Sequence, residues 1–263
     1  DRLRSRGLGD VYKRQLPGTS RPPKLVVFDL DHTLIACDAT ILWTEFLYEK
    51  KIVTDPIWRQ YDRDMVKSYA KGVLDIRDFC RKHAGAFRSI PEEKLHALAQ
   101  EFAKKKIAPL IFPDGKKWVK NALQANIPAC VLSASAAFIV KPIAKLFGLT
   151  DAMGIELAFK DGFCTGEIVG IPTFQEGKVE RLSQRLTEAG IGFEDVLFFT
   201  DSRNDLPLAE RAGYTVCVNP DAVLESAARK NGWKVAEWKL SLRTQMTAQV
   251  DAKGVPETQT VRS

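Results

Sequence analysis

Lys24-Leu-Val-Val-Phe-Asp29-Leu-Asp31-His-Thr33 is the stretch on which the fold turns. A short apolar run ends in a carboxylate, as a strand buried on both faces in a parallel sheet does. A second carboxylate follows two residues later. Working outward, similar apolar runs recur at residues 129–132, 195–200 and 214–218. Helical periods separate them: residues 116–125 after Asp114-Gly115, residues 136–147 stopping at Gly148, and residues 177–188 stopping at Gly190. Alternating strands and helices predict an α/β fold, a doubly wound parallel sheet. Residues 157–169 carry Lys160-Asp-Gly-Phe163 between two strand-like pieces, a hairpin signal. Ligands in open α/β sheets bind at the carboxyl ends of the strands, where Asp29 and Asp31 fall.

Residues 40–110 read differently, with helical periods and no strand. Trp43, Phe46 and Leu47 share a helical face, and Ile57, Tyr61, Met65 and Tyr69 recur every fourth residue. Asp75 is placed to cap a helix carrying Ile76, Phe79 and Cys80. Ser89-Ile-Pro-Glu92 has the form of a capping box ahead of Leu95, Leu98, Ala99, Phe102 and Ala103. The expectation is an insertion of about four helices after the first strand.

Three further features sit at corresponding strand ends. The second apolar run ends at Ser133. Lys178 opens a helix after Glu176-Gly177. The run ending at Thr200 leads into Asp201-Ser-Arg-Asn-Asp205. Together with Asp29-Leu-Asp31-His-Thr33 these resemble the four motifs of the haloacid dehalogenase superfamily, in order, spacing and strand context, over roughly residues 24–236. The phrases Leu30-Asp-His-Thr-Leu34, Phe174-Gln-Glu-Gly-Lys178, Asp201-Ser-Arg-Asn-Asp-Leu-Pro207 and Val218-Asn-Pro-Asp221 resemble its subfamily IB of phosphoserine-phosphatase-like hydrolases. The resemblance implies a Rossmann-like core at 24–37 and 111–240 and a helical type-1 cap at 38–110.

It also implies a Mg²⁺-dependent phosphomonoesterase acting on a small phosphorylated metabolite. Asp29 would be the nucleophile of a phosphoaspartyl intermediate, and Asp31 would protonate the leaving alcohol and then activate water. One environment must keep an acid ionised and the other must let it hold a proton. By resemblance Asp29, the backbone carbonyl of Asp31 and Asp201 hold Mg²⁺, a set of hard oxygen ligands. Ser133 would donate to the phosphate and Lys178 would balance charge. Asp205 would support Lys178 or metal-bound water, and Thr33 would lock the first loop. The acid at Asp31 favours phosphatase over dehalogenase chemistry, and Leu30-Asp31 departs from the Lys-Thr of P-type ATPases.

Thr200 stands where relatives often carry Gly, and reads as a β-branched strand end. His32 reads as a loop residue pointing away, Arg203 as part of a turn, and Asn204 as an active-site neighbour. Asp38 sits where phosphoserine phosphatases hold the substrate amine, and equally where a helix N-cap belongs. Arg77 and Arg81 are candidates by region for gripping a substrate carboxylate. Trp43 and Trp58 read as helix-packing aromatics, and Lys104-Lys-Lys106 as a solvated helix end.

The whole chain has 39 Lys+Arg against 33 Asp+Glu, a formal net charge of +6. That balance suggests polyanion partners, but residues 1–23 hold six basic residues against two acids, and 24–240 hold 30 against 29. No nucleic-acid or membrane partner is therefore expected. A lipid phosphate phosphatase is disfavoured because residues 40–110 are charged throughout. A non-catalytic phosphate-binding module is disfavoured by the complete acid set. Five widely spaced cysteines without a C-x-x-C pair fit a reducing cytoplasm and a monomer or homodimer without disulfides. The opening residues show no helix or strand period and resemble translated adapter sequence. Residues 1–23 and 241–263 are expected to be disordered. Deleting residues 1–16 is expected to leave phosphate release unchanged. Loss of activity on that deletion would assign the segment a role.

Overall fold

Leu25–Phe28 form β1, and its side chains alternate between two cores. Val26 and Phe28 join one apolar cluster and Leu25 and Val27 the other, all essentially without solvent contact. A strand buried on both faces requires layers on both sides. The structure, a computed structural model, describes residues 21–240. The expected extension, apart from residues 21–23, and the expected tail lie outside the described residues.

Six strands make the main sheet in the order β3-β2-β1-β6-β7-β8. They are Ala152–Ile155, Ala129–Ala136, Leu25–Phe28, Val196–Thr200, Tyr214–Val218 and Lys234–Ala236. Every neighbouring pair is parallel. On one face lie α5 (Pro113–Gln124) and α6 (Ala137–Lys145), with Trp118 edge-on to Phe199 at 5.0 Å between ring centroids. On the other lies α7 (Glu176–Ala189), which buries Val179, Leu182 and Leu186. Short α8 (Leu206–Ala209) and α9 (Ala222–Asn231) complete the cover. The doubly wound sheet expected from the alternating runs is the one observed.

Between β1 and α5 the chain makes four longer helices: α1 (Ala39–Glu49), α2 (Ile57–Lys71), α3 (Ile76–His83) and α4 (Glu92–Phe102). Asp38 caps α1 by accepting from Thr40 and Ile41 N–H, and Asp75 caps α3 by accepting from Arg77 and Asp78 N–H. Trp43, Phe46 and Leu47 are buried, with Trp43 packed against Phe102 and Phe138. The helical segment therefore shares its apolar core with the sheet layer through α6. The four-residue stripe on α2 is buried only at Met65, and Ile57 is exposed.

One local expectation fails. Ser89 does not cap α4: the N-cap is Pro91, with no side-chain cap. The orphan donor of the first turn is satisfied from elsewhere, since Glu92 N–H donates to the Gly162 carbonyl at 2.8 Å. Gly162 sits in the turn of the predicted hairpin, β4 (Leu157–Lys160) and β5 (Phe163–Ile168). The hairpin supplies what the capping box would have supplied.

The hairpin also packs on α3, at Gly166. Its φ is +83°, and a Cβ there would lie 2.7 Å from Ala84 Cβ and 3.0 Å from Arg81 Cα. Both the left-handed backbone and the close approach demand glycine. Gly166→Val is expected to cost about 3 kcal/mol, combining backbone strain and overpacking, and to lower the melting temperature by roughly 6–12 °C. Gly162→Ala, at positive φ with nothing within 4 Å, is expected to cost about 1 kcal/mol. Equal melting temperatures for the two variants would show that the hairpin does not bear on α3.

Candidate active site

Adjacent strands β2, β1 and β6 end side by side, with Phe28 in register with both Val131 and Phe199. That register delivers Ser133, Asp29 and Asp201 to one edge of the sheet. α7 then brings Lys178 beneath them. Its first turn fits only because residue 177 is glycine: a Cβ there would fall 1.9 Å from the Pro172 carbonyl oxygen.

Lys178 is 1 % exposed, and its ammonium donates to Asp29 Oδ1 at 2.7 Å and to Asp205 Oδ2 at 2.8 Å. Burial opposes the lysine's charge, but Asp205 and Asp29 hold it well above the usual lysine range. Burial pushes the Asp29 carboxyl up to about 7, against the pull of Lys178, and the charges of Asp205 and Asp31 add to the rise. Asp201 is raised well above a normal aspartate by burial and then by Asp29 and Asp205. Three carboxylates thus face one ammonium. The negative surplus and the hard oxygen donors fit a divalent cation, and Asp201, half-open to solvent, gives it a way in. Among the described residues no three His, Cys, Asp or Glu side chains converge as metal ligands. A set of two carboxylates and a backbone carbonyl needs no third side chain.

The Asp31 carboxylate has turned away from that cluster. Its Oδ2 accepts from Ser133 Oγ at 3.1 Å and from Ser135 Oγ at 2.9 Å. Its Oδ1 accepts from the Ala39 N–H at 2.6 Å. Ser133 also accepts from Ser135 N–H. Thr33 donates to Asp201 Oδ1 at 3.2 Å, tying the first loop to the last motif. His32 is exposed at φ +56°.

Thr200 is more than a strand end. Its hydroxyl donates to Asp205 Oδ2 at 2.8 Å and accepts from Ser202 N–H. A buried carboxylate needs donors for its remaining lone pairs, and Thr200 supplies one. Asp205 supports Lys178 directly. Asn204 is buried and bridges to the helical segment: its Nδ2 donates to the Tyr69 carbonyl at 3.0 Å, and its Oδ1 accepts from Gln175 Nε2 at 3.2 Å. Gln175 Nε2 also reaches the Gly72 carbonyl. Tyr69 follows into the site, its phenol pushed well above the usual tyrosine range by burial and by Asp205, Asp29 and Asp201.

Ser135, Gln175, Tyr69 and the role of Thr200 were not read from sequence. Ser135 carried a signal, since residues 133 and 135 share one face of a strand. Gln175 carried none. Arg77 is exposed, and Arg81 is spent on an exposed ion pair with Glu167 at 2.9 Å. Trp58 packs on Tyr61, Lys105 pairs with Glu101, and Lys106 pairs with Glu49.

Comparison with known proteins bears on this geometry. The family described as haloacid dehalogenase-like hydrolase matches residues 26–210. A histidinol-phosphatase of Neisseria meningitidis serogroup C is 35% identical over 219 residues, covering 82% of this chain and 99% of that protein. A crystal structure of a protein of unknown function from Bordetella pertussis Tohama I superposes with TM-score 0.74 at 31% identity, over 82% of this chain and 98% of that one. A phosphoserine phosphatase solved as a phospho-aspartyl intermediate analogue shares the fold, with TM-score 0.62 at 21% identity over 87% and 99% of the two chains. The chain belongs to the haloacid dehalogenase-like hydrolase family, and is an enzyme of its phosphatase type.

Proposed function

We propose that the protein is a Mg²⁺-dependent phosphomonoesterase that hydrolyses a small phosphorylated metabolite through a phosphoaspartate on Asp29. The observation that carries this reading is the buried Lys178 ammonium shared by Asp29 and Asp205, beside an Asp31 held separately by two serines. Two acids two residues apart occupy different environments, as a nucleophile and a proton donor must.

An Asp29 carboxylate oxygen attacks phosphorus, and the bond from phosphorus to the leaving oxygen breaks. The proton of Asp31 passes to that oxygen. A water then gives its proton to Asp31 and attacks the same phosphorus, the bond to Asp29 breaks, and inorganic phosphate leaves. Lys178 favours the ionised form of Asp29 against the burial that raises its carboxyl, and holds one of its oxygens in place. Ser133 Oγ exchanges its bond to Asp31 for one to a phosphoryl oxygen. Asp29, Asp201 and the backbone carbonyl of Asp31 would hold Mg²⁺, which would supply charge neutralisation on the phosphoryl group. Thr33, Asn204 and Asp205 hold these groups in place.

We read residues 38–110 as the cap over this site. The likeness to the Neisseria histidinol-phosphatase makes histidinol phosphate the first compound to try, and Asp38, half-buried beside Asp31, a candidate for its cationic end. Among the described residues no helix is long and apolar enough to cross a membrane, which disfavours the lipid phosphate alternative. All five cysteines are unpaired, which supports a reducing cytoplasm.

The test is phosphate release over a panel of phosphomonoesters, with Mg²⁺ and with chelator. Release is expected in Mg²⁺ alone and is expected to vanish in Asp29→Asn. Turnover by Asp29→Asn would remove the nucleophile assignment, and no release from any compound would favour a binding module. A second measurement reads the metal without turnover. Mg²⁺ at about a hundred times its Kd is expected to stabilise the wild-type fold by about 2.7 kcal/mol, seen as a raised melting temperature. Asp201→Asn is expected to lose that rise. An equal rise in both would place the ion elsewhere.

A further inference from the structure

His83, at the end of α3, is buried, and its ring nitrogens are treated differently. Nε2 lies 3.0 Å from Thr44 Oγ1 and 3.5 Å from Asp62 Oδ1. Nδ1 has no hydrogen-bond partner among the described residues. The Thr44 hydroxyl faces the Thr40 carbonyl at 3.4 Å and donates to it, so its lone pair is left to accept from Nε2–H. The Asp62 carboxylate beside Nε2 favours a proton at the same place. Such second partners set which ring nitrogen is protonated. In the neutral ring Nδ1 is then a bare acceptor. Burial pulls the ring down to about 4, so the neutral form is the one present at pH 7.

His83 lines a cavity of about 20 Å³ with Thr40, Phe79, Phe87, Ala134 and Phe138. The cavity adjoins the catalytic edge: Thr40 Oγ1 is 3.1 Å from Ser135 Oγ, which bonds Asp31. It holds about one water molecule and lies between the helical segment and the end of β2. His83 and the Cys80 thiol are the titratable groups on its wall, and no lysine or arginine lines the space. The nearest charges are carboxylates. Asp62 is 4 % exposed, its Oδ1 faces His83 Nε2 at 3.5 Å, and burial pushes its carboxyl up to about 7. Asp38 is close enough to Asp62 for its charge to be felt there.

We infer that His83 is a specificity-determining residue of this site, with Asp62 and Thr44 as positioning residues that fix its tautomer. Its Nδ1 accepts a hydrogen bond from the leaving alcohol. The favoured substrates are phosphomonoesters whose leaving alcohol carries a protonated amine or an imidazole N–H. A leaving alcohol bearing a carboxylate, such as serine's, finds no lysine or arginine in the lining of the cavity. The inference rests on the phosphatase reading above and adds to it the class of substrate and the residue that selects it.

Two size-matched probes test it on the wild-type enzyme. Phosphoethanolamine, with a cationic leaving alcohol, is expected to show at least tenfold higher kcat/KM than 2-phosphoglycolate, with an anionic one. Equal values or the reverse order would overturn the proposal. His83→Ala is expected to lower kcat/KM for histidinol phosphate at least tenfold more than for 4-nitrophenyl phosphate, chiefly through KM. His83→Gln, which keeps an acceptor, is expected to restore part of the ratio. An equal loss on both compounds in both variants would make His83 a packing residue and sink the proposal. Wild-type enzyme inactive on all four compounds would strike the phosphatase reading itself. Activity with the wrong preference strikes only the subsite.

Discussion

The buried ammonium of Lys178 is the interaction on which the rest of the site depends. It lies between Asp29 and Asp205, bonding each at 2.7–2.8 Å, in a space with almost no solvent. Removing one partner of such a set costs on the order of 3–5 kcal/mol, because a charge is left buried and uncompensated. The sheet, the glycine at 177 and the short turn at 203–205 can be read as the means of assembling it. Thr200 belongs to the same set, since Asp205 takes its hydroxyl as well as the lysine. A glycine at position 200 would leave that lone pair to water.

The helical segment is fastened to this centre by amides rather than charges. Asn204 and Gln175 hold each other and grip the last carbonyls of α2, at Tyr69 and Gly72. These carbonyls are among the groups a helix end leaves unsatisfied. Gln175 does this from φ +49°, ψ −124°, a region ordinarily left to glycine. Strain of that kind costs about 1–3 kcal/mol and persists where surrounding contacts over-determine it. Its place, three residues before Lys178, couples the fastening of the helical segment to the seating of the lysine.

Much of this was legible in the sequence because it is local or periodic. The apolar runs at β1, β6 and β7 gave the strands, and the Asp-x-Asp spacing gave the two acids. Asp38 and Asp75 gave the caps of α1 and α3. What was not legible depends on contacts between distant segments. Ser89 has the right spacing for a capping box, yet Gly162, seventy-odd residues away in the hairpin, satisfies the first turn of α4 instead. Thr200 could be recognised only beside Asp205, and His83 only beside Thr44 and Asp62. The net charge of +6 was informative chiefly by where it was absent, since residues 24–240 carry nearly balanced charge, with Asp29, Asp31, Asp201 and Asp205 gathered at strand ends.

The two acids divide their work by the donors each receives. Asp29 takes a full positive charge on one oxygen, which favours an ionised nucleophile with its other oxygen free. Asp31 takes three neutral donors, Ser133, Ser135 and the Ala39 N–H. In the proposed reaction Asp31 begins protonated and becomes a carboxylate as the leaving oxygen takes its proton. Donors already aimed at that carboxylate stabilise charge that develops only as the bond breaks, without reorganising at that moment. The Ala39 N–H belongs to the first turn of α1, so this donor is set by the position of the helical segment. The proton donor proposed for the reaction is therefore completed by that segment, which also meets the space beside Thr40 and His83. Recognition of the leaving group and the readiness of Asp31 to serve it are in this way a single structural event.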